Sequence, residues 1–147
     1  MKIREVTTED QQKVKRFVLS VLVDEFGFPR KPEWDYDLED PIKYYQEQGG
    51  NFYILENNKK LIGTIAIKNK GNKIAELKRM YVDKKFRGKG LGRKLFDKAI
   101  KFSVQNKFEK VILDTWNKFD TAKKIYKKNG FKVIGREGEQ IFMEKGL

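Results

Sequence analysis

Arg87-Gly88-Lys89-Gly90-Leu91-Gly92 places three glycines at alternate positions, between a strand-like run and the start of an amphipathic helix. Glycine lets backbone amides close around a ligand, because no Cβ bars the dihedrals such a loop needs. The helix that follows offers unpaired N–H groups and the positive end of its dipole. Together they make a cradle for phosphate, and the ligand to expect carries a pyrophosphate. The chain has neither cysteine nor histidine, which excludes disulfides, a Cys or His nucleophile and an ordinary zinc site. Proton transfer is left to carboxylates, tyrosines and water. Ser20 and Ser103 are the only serines, both within helical stretches and neither on a nucleophile elbow, so covalent catalysis is not expected.

The elements that must position this loop follow from periodicity. Lys2–Val6 alternates like a strand, and Thr8-Glu9-Asp10-Gln11 reads as a capping box before Val14, Phe17, Val18, Val21 and Leu22 at helical spacing. Gly27 and Pro29 should end that helix; Phe28 to Pro41 is punctuated by prolines, and Lys43–Glu47 reads as a short helix. Phe52–Glu56 and Leu61–Lys68 read as a hairpin around Asn57-Asn58, with Lys73–Val82 the next strand. From Gly92 onward, Leu95, Phe96, Ala99, Ile100 and Phe102 share one face opposite a charged one. Val111–Asp114 is a short strand, Asp120 to Asn129 a helix stopped by Gly130, and Phe131–Gly135 with Gln140–Glu144 a closing hairpin at Gly138. The pattern is α+β, with about seven strands and about four helices in one domain over residues 1–147.

The chain's 147 residues can bury a core without metal or cross-links. Its net charge is +12, with 33 Lys and Arg against 21 Asp and Glu. Lysine far outnumbers arginine, the usual reader of bases, and scatters over helix faces. Nucleic acid is therefore not the expected partner. No apolar run nears the ~20 residues that cross a bilayer, and Met1-Lys2-Ile3-Arg4 starts no signal peptide, so a cytoplasmic protein without a membrane partner is expected.

Glycine loops of three kinds compete for the motif. A Walker loop requires G-x-x-x-x-G-K-[ST], which is absent. A dinucleotide fingerprint requires G-x-G-x-x-G in a βαβ unit, whereas here the spacing is G-x-G-x-G after a meander of strands. The segment Leu77 to Leu95 instead resembles the acyl-CoA-binding motif of the GNAT N-acetyltransferases, whose pattern [RQ]-x-x-G-x-[GA] is matched by Arg87, Gly90 and Gly92. A second signature of that superfamily, A-x-x-x-Y-x-x-x-G-F, is matched by Ala122, Tyr126, Gly130 and Phe131.

This resemblance covers essentially the whole chain. It implies the GNAT fold, a mixed and largely antiparallel sheet flanked by helices. Acetyl-CoA is the implied co-substrate, with no metal. The main chain from Arg87 through Gly88, Lys89, Gly90, Leu91 and Gly92 to Arg93 would hold the pyrophosphate, and Met80, Tyr81 and Val82 would run beside the pantetheine, on a strand that in this family bulges and splays from its neighbour and leaves an amide, that of Val82 or Met80, facing the oxyanion. Ala122 would border it, and Tyr126 would act as general acid toward the departing thiolate. Many members carry an asparagine seven residues before that tyrosine; here the position is Phe119, while Asn117 lies two residues earlier. Asn117 is thus either a cofactor contact or a plain loop residue.

The reaction would acetylate a primary amine by direct attack in a ternary complex. An amine of pKa ~10.4 costs about 4.6 kcal/mol to deprotonate at pH 7, so a base is needed. Glu76, on the strand leading to the loop, is the candidate; the alternative is a Glu76 facing solvent or paired with a lysine. Trp34-Asp35-Tyr36-Asp37 lies in an acidic stretch of a basic chain, and in GNAT proteins the segment after the first helix borders the acceptor. Trp34, Asp35 and Tyr36 could draw a cationic acceptor; solvated acids paired with nearby lysines are the alternative. Acceptors in view are small-molecule amines, with protein N-termini or lysines as the second reading and homodimerisation left open. A basic nucleic-acid module and a non-catalytic acyl-CoA sensor are the readings of another class. Calcium is disfavoured, since Asp40 and Gln46 occupy the loop positions where an EF-hand needs Gly and Glu.

Overall fold

A computed structural model describes residues 1–147. Alternating apolar residues build seven strands: β1 (Lys2–Glu5), β2 (Asn51–Asn57), β3 (Lys60–Asn69), β4 (Ile74–Val82), β5 (Lys110–Trp116), β6 (Lys132–Glu137) and β7 (Gln140–Gly146). They form one sheet in the order β1-β2-β3-β4-β5-β7-β6. Every neighbouring pair is antiparallel except β4 and β5. Four α-helices cover it: α1 (Gln11–Leu19), α2 (Pro41–Tyr44), α3 (Leu91–Gln105) and α4 (Asp120–Lys128). One core packs Leu95, Phe96 and Ala99 of α3 with Tyr126 of α4 against Leu77, Val111 and Met143. The other packs Val14 and Val18 of α1 against Phe52, Ile54 and Ala66. Burial of such side chains contributes about 1.5–3 kcal/mol each, and these two layers hold the sheet between them.

Three local expectations shift. The capping box forms one residue early, where the Asp10 carboxylate accepts from the Thr7 N–H at 2.8 Å. Arg4 explains the choice: its guanidinium reaches both Asp10 oxygens at 2.8 Å and Glu56 at 2.7 Å, tying β1 to α1 and β2. The first helix does not run regularly to Gly27. It widens into a π-helical turn over Ser20–Glu25, with the Phe26 N–H reaching the Val21 carbonyl at 3.1 Å. The β2–β3 turn uses Asn58 and Lys59, both at positive φ, one residue beyond the expected pair.

The feature that positions the site is a split in the sheet. β4 and β5 pair only from Ile74 to Glu76 against Lys110 to Ile112, and then part. Just beyond, the β3–β4 register skips: Ala66 faces Lys78 but Thr64 faces Tyr81. Arg79 sits in this bulge at φ +56, a left-handed conformation that a non-glycine residue adopts at a cost of about 1–2 kcal/mol. Its neighbours hold it there. The Thr64 hydroxyl donates to the Arg79 carbonyl at 2.7 Å. The guanidinium donates to Asp37 at 2.7 and 3.1 Å, to Asp35 at 3.1 Å and to the Trp34 carbonyl at 3.1 Å. Beyond the split, the edge of Leu77–Val82 that would face β5 has no strand partner.

Candidate active site

The opened edge of β4 leads directly into the glycine loop. Gly88 and Gly90 have φ of +79 and +78, and Gly90 precedes the first turn of α3. The unpaired N–H groups of that turn point out of the helix end, as a phosphate cradle requires. A cleft of about 450 Å³ lies against them, with Met80, Tyr81 and Val82 along one side and Phe119, Ala122 and Ile125 along the other. Its charged lining is Arg87, Arg93, Lys118 and Asp120, of which Arg87 pairs with Glu25, Arg93 with Asp97 at 2.8 Å and Asp120 with Lys123 at 3.3 Å, so Lys118 is left as the cation without a carboxylate. A Cβ on Gly92 would come into van der Waals contact with Ile125, at 3.4 Å. Amide donors, positive charge and missing side chains suit the diphosphate arm of a coenzyme A thioester.

Ten expected cofactor residues line this cleft: Met80, Tyr81, Val82, Arg87, Gly88, Gly90, Leu91, Gly92, Arg93 and Ala122. Two do not. The Lys89 ammonium stacks 5.4 Å from the centre of the Phe86 ring. Asn117 is exposed, and its carbonyl oxygen accepts from Lys123 at 2.9 Å. Phe119, where the resemblance would have an asparagine, lines the cleft instead. The Arg87 side chain serves the loop: it donates to the Val82 carbonyl at 2.9 Å and pairs with Glu25 at the end of the π-helical turn.

A second cavity, of about 570 Å³, opens on the other side of the same split. The two share Met80, Tyr81, Phe119 and Ala122. Tyr126 lines the second cavity close to this junction, its hydroxyl 3.8 Å from the Met80 sulfur. Burial pushes the Tyr126 phenol well above its ordinary range, with smaller contributions from Tyr81 and then Asp114, so the proton stays on the oxygen. Burial raises Tyr81 likewise.

The acidic stretch does other work than expected. Asp35 bridges Arg30 and Arg79, and Asp37 accepts from Arg79 and, at 2.6 Å, from the Tyr45 hydroxyl. Burial alone would raise the pKa of both acids, but the arginines outweigh it and hold them below the usual carboxylate range. Burial works against Arg79 as well, and its bonds to Asp37 leave its pKa raised. Asp35 is therefore not presented to a cationic ligand. Trp34 lines the second cavity, yet Arg30 and Lys31 already lie 5.3 and 5.2 Å from its ring centre. Tyr36 lines neither cavity; it packs edge-on to Tyr44 and its hydroxyl accepts from Lys68.

Glu76 lies apart from both cavities. It stands where β4 is still paired with β5, lines neither cavity, and lies 3.9 and 4.0 Å from the Lys70 and Lys78 ammoniums. The acid that does line the second cavity is Asp114. Sequence reading ended that strand at Asp114, where the chain in fact continues to Trp116. Arg79 was missed too. Its signal was available: it stands in phase with the buried Ala75 and Leu77, where a charge must find a partner.

Known proteins share this architecture. The model of the acetyltransferase (GNAT) family matches residues 16–131. An acetyltransferase of GNAT family from Staphylococcus aureus Mu50 superposes with a TM-score of 0.90 at 27% identity, over 99% of this chain and 98% of that one. The PaiA N-acetyltransferase of Thermoplasma acidophilum, solved in complex with coenzyme A, shares the fold at a TM-score of 0.79 and 23% identity, over 99% and 98% of the two chains. In sequence, the N-acetylaspartate synthetase of Xenopus tropicalis is 34% identical over 101 residues, 67% of this chain but 37% of that protein's length. Streptothricin acetyltransferase A of Bacillus subtilis (strain 168) is 33% identical over 119 residues, 80% of this chain and 66% of the relative.

Proposed function

The chain belongs to the GNAT acetyltransferase family, and from that premise we propose that it moves an acetyl group from acetyl-CoA to a primary amine held in the same complex. One observation carries the reading: a cleft suited to the cofactor and a second cavity meet at Met80, Tyr81, Phe119 and Ala122, where β4 and β5 part. Acetyl-CoA supplies the activated acyl group as a thioester. The amides from Gly88 to Arg93 hold its pyrophosphate, with Arg93 and Lys118 adding charge. Met80 to Val82 offer the free strand edge to the pantetheine arm. Tyr126 keeps its proton through burial and gives it from the phenol oxygen to the departing sulfur. The amine enters from the second cavity and needs no acyl-enzyme. Glu76 lines neither cavity, so direct removal of the amine proton by its carboxylate is not part of this reading.

Two relatives, one named for the synthesis of N-acetylaspartate and one for the acetylation of streptothricin, support a small-molecule acceptor over a protein. The test is an amine panel with acetyl-CoA, read as free thiol, followed by two-substrate kinetics. Intersecting double-reciprocal lines are expected. Parallel lines with an acetylated protein, or no thiol release with any amine, would contradict the proposal.

A further inference from the structure

The second cavity holds one acid, and its surroundings say what that acid is for. Arg30, Lys78, Arg79 and Asp114 are the charged residues of the lining. Arg30 and Arg79 are neutralised by Asp35 and Asp37, and Lys78 lies 4.0 Å from Glu76. Asp114, an exposed residue at the cavity's open side, has no cation within 4 Å and takes one hydrogen bond, from the Gln140 side chain. An acid left without a counter-charge among arginines that have theirs is a place for a ligand's cation. Asp114 stands on the half of β5 that has left β4, so it faces the cavity that Tyr126 also lines.

Around this carboxylate the cavity is aromatic. Phe28, Trp116 and Phe119 form one wall, with Phe28 at 5.2 Å from Trp116 and 5.9 Å from Phe119, ring centre to ring centre. Faces of Trp34 and Phe28 already carry Arg30, Lys31 and Lys118. The rings therefore provide apolar contact for a ligand's tail, and the carboxylate receives its charge.

We infer that Asp114 is the docking site for the acceptor's ammonium group and that the acceptor carries a flat or apolar tail that packs against Phe28, Trp116 and Phe119. This deepens the reading of the chain as an amine acetyltransferase and rests on it.

The test needs no turnover, because both tryptophans of the chain, Trp34 and Trp116, line this cavity and report on it. The full chain is titrated with 2-phenylethylamine, and with 2-phenylethanol as its uncharged counterpart, while tryptophan emission is recorded. The amine is expected to give a saturable change in the wild type and to bind at least tenfold more weakly to Asp114→Asn. The alcohol should bind weakly and equally to both. Asp114→Glu should recover most of the amine affinity, and stabilisation by acetyl-CoA should be the same in all three proteins. Equal amine affinity in wild type and Asp114→Asn, or no saturable change in the wild type, overturns the inference. Failure of acetyl-CoA to stabilise any of the proteins would instead strike the acetyltransferase reading.

Discussion

Replacing Arg79 by alanine should cost more stability than almost any other change on the functional side of the sheet. Its guanidinium is 6% exposed and donates to two carboxylates and a carbonyl. Alanine retains the strain of φ +56, so the substitution isolates the lost charge. Asp35 still has Arg30, but Asp37 is left buried with only the Tyr45 hydroxyl. Stranding a buried carboxylate costs about 3–5 kcal/mol, or about 6–20 °C in melting temperature for a chain of this size. The pH dependence has a definite sign. Asp35 and Asp37 have depressed pKa values in the folded state, so their contribution is present above the unfolded value near pH 4 and is lost as pH falls through the folded values. The gap between wild type and Arg79→Ala should therefore be widest near neutrality and narrow in acid. Urea denaturation at pH 7 and pH 3 measures it. A variant within about 1 kcal/mol of wild type at pH 7, or a gap that widens in acid, would refute the argument that this ion pair holds the split.

Tyr126→Phe should leave the melting temperature and coenzyme A affinity nearly unchanged, because the hydroxyl's one protein partner is the Met80 sulfur; kcat in the thiol assay should fall about a hundredfold. Gly90→Ala adds a Cβ that meets nothing within 4 Å, but φ is +78, so the penalty is conformational. Coenzyme A should bind about tenfold more weakly, by calorimetry, for a backbone strain of about 1–2 kcal/mol. Asp10 should titrate near pH 2, since the hydrogen bonds from Arg4 hold its pKa at about 2 despite partial burial. Carbon-detected NMR of its carboxyl would record this, and Arg4→Met should return the midpoint toward the ordinary value near 4.

What could be read from the chain, and what could not, divides along physical lines. The glycine loop was legible because positive φ at Gly88 and Gly90 is a demand few other residues meet. The strands and helices were legible because each buries one face, and periodicity records that. The bulge and split of β4 were expected only through the family resemblance, since Arg79, at positive φ in the bulge, gives no local sign of it. The fate of Trp34-Asp35-Tyr36-Asp37 followed from the same residue. An acidic run reads as a surface for cations until its counter-ion is found forty-odd positions away on another strand. That Asp114 lines a cavity and Glu76 does not has a related reason. Which end of a strand lines a cavity depends on where its neighbour departs, and β5 leaves β4 after Ile112.

The central claim is that the loop from Gly88 to Arg93 and the free edge of β4 grip coenzyme A. Calorimetric titration of coenzyme A into the protein tests it most directly. The account predicts saturable one-to-one binding that weakens as salt screens the pyrophosphate contacts and that survives Asp114→Asn. No heat at millimolar coenzyme A, or binding indifferent to both Gly90→Ala and salt, would contradict it.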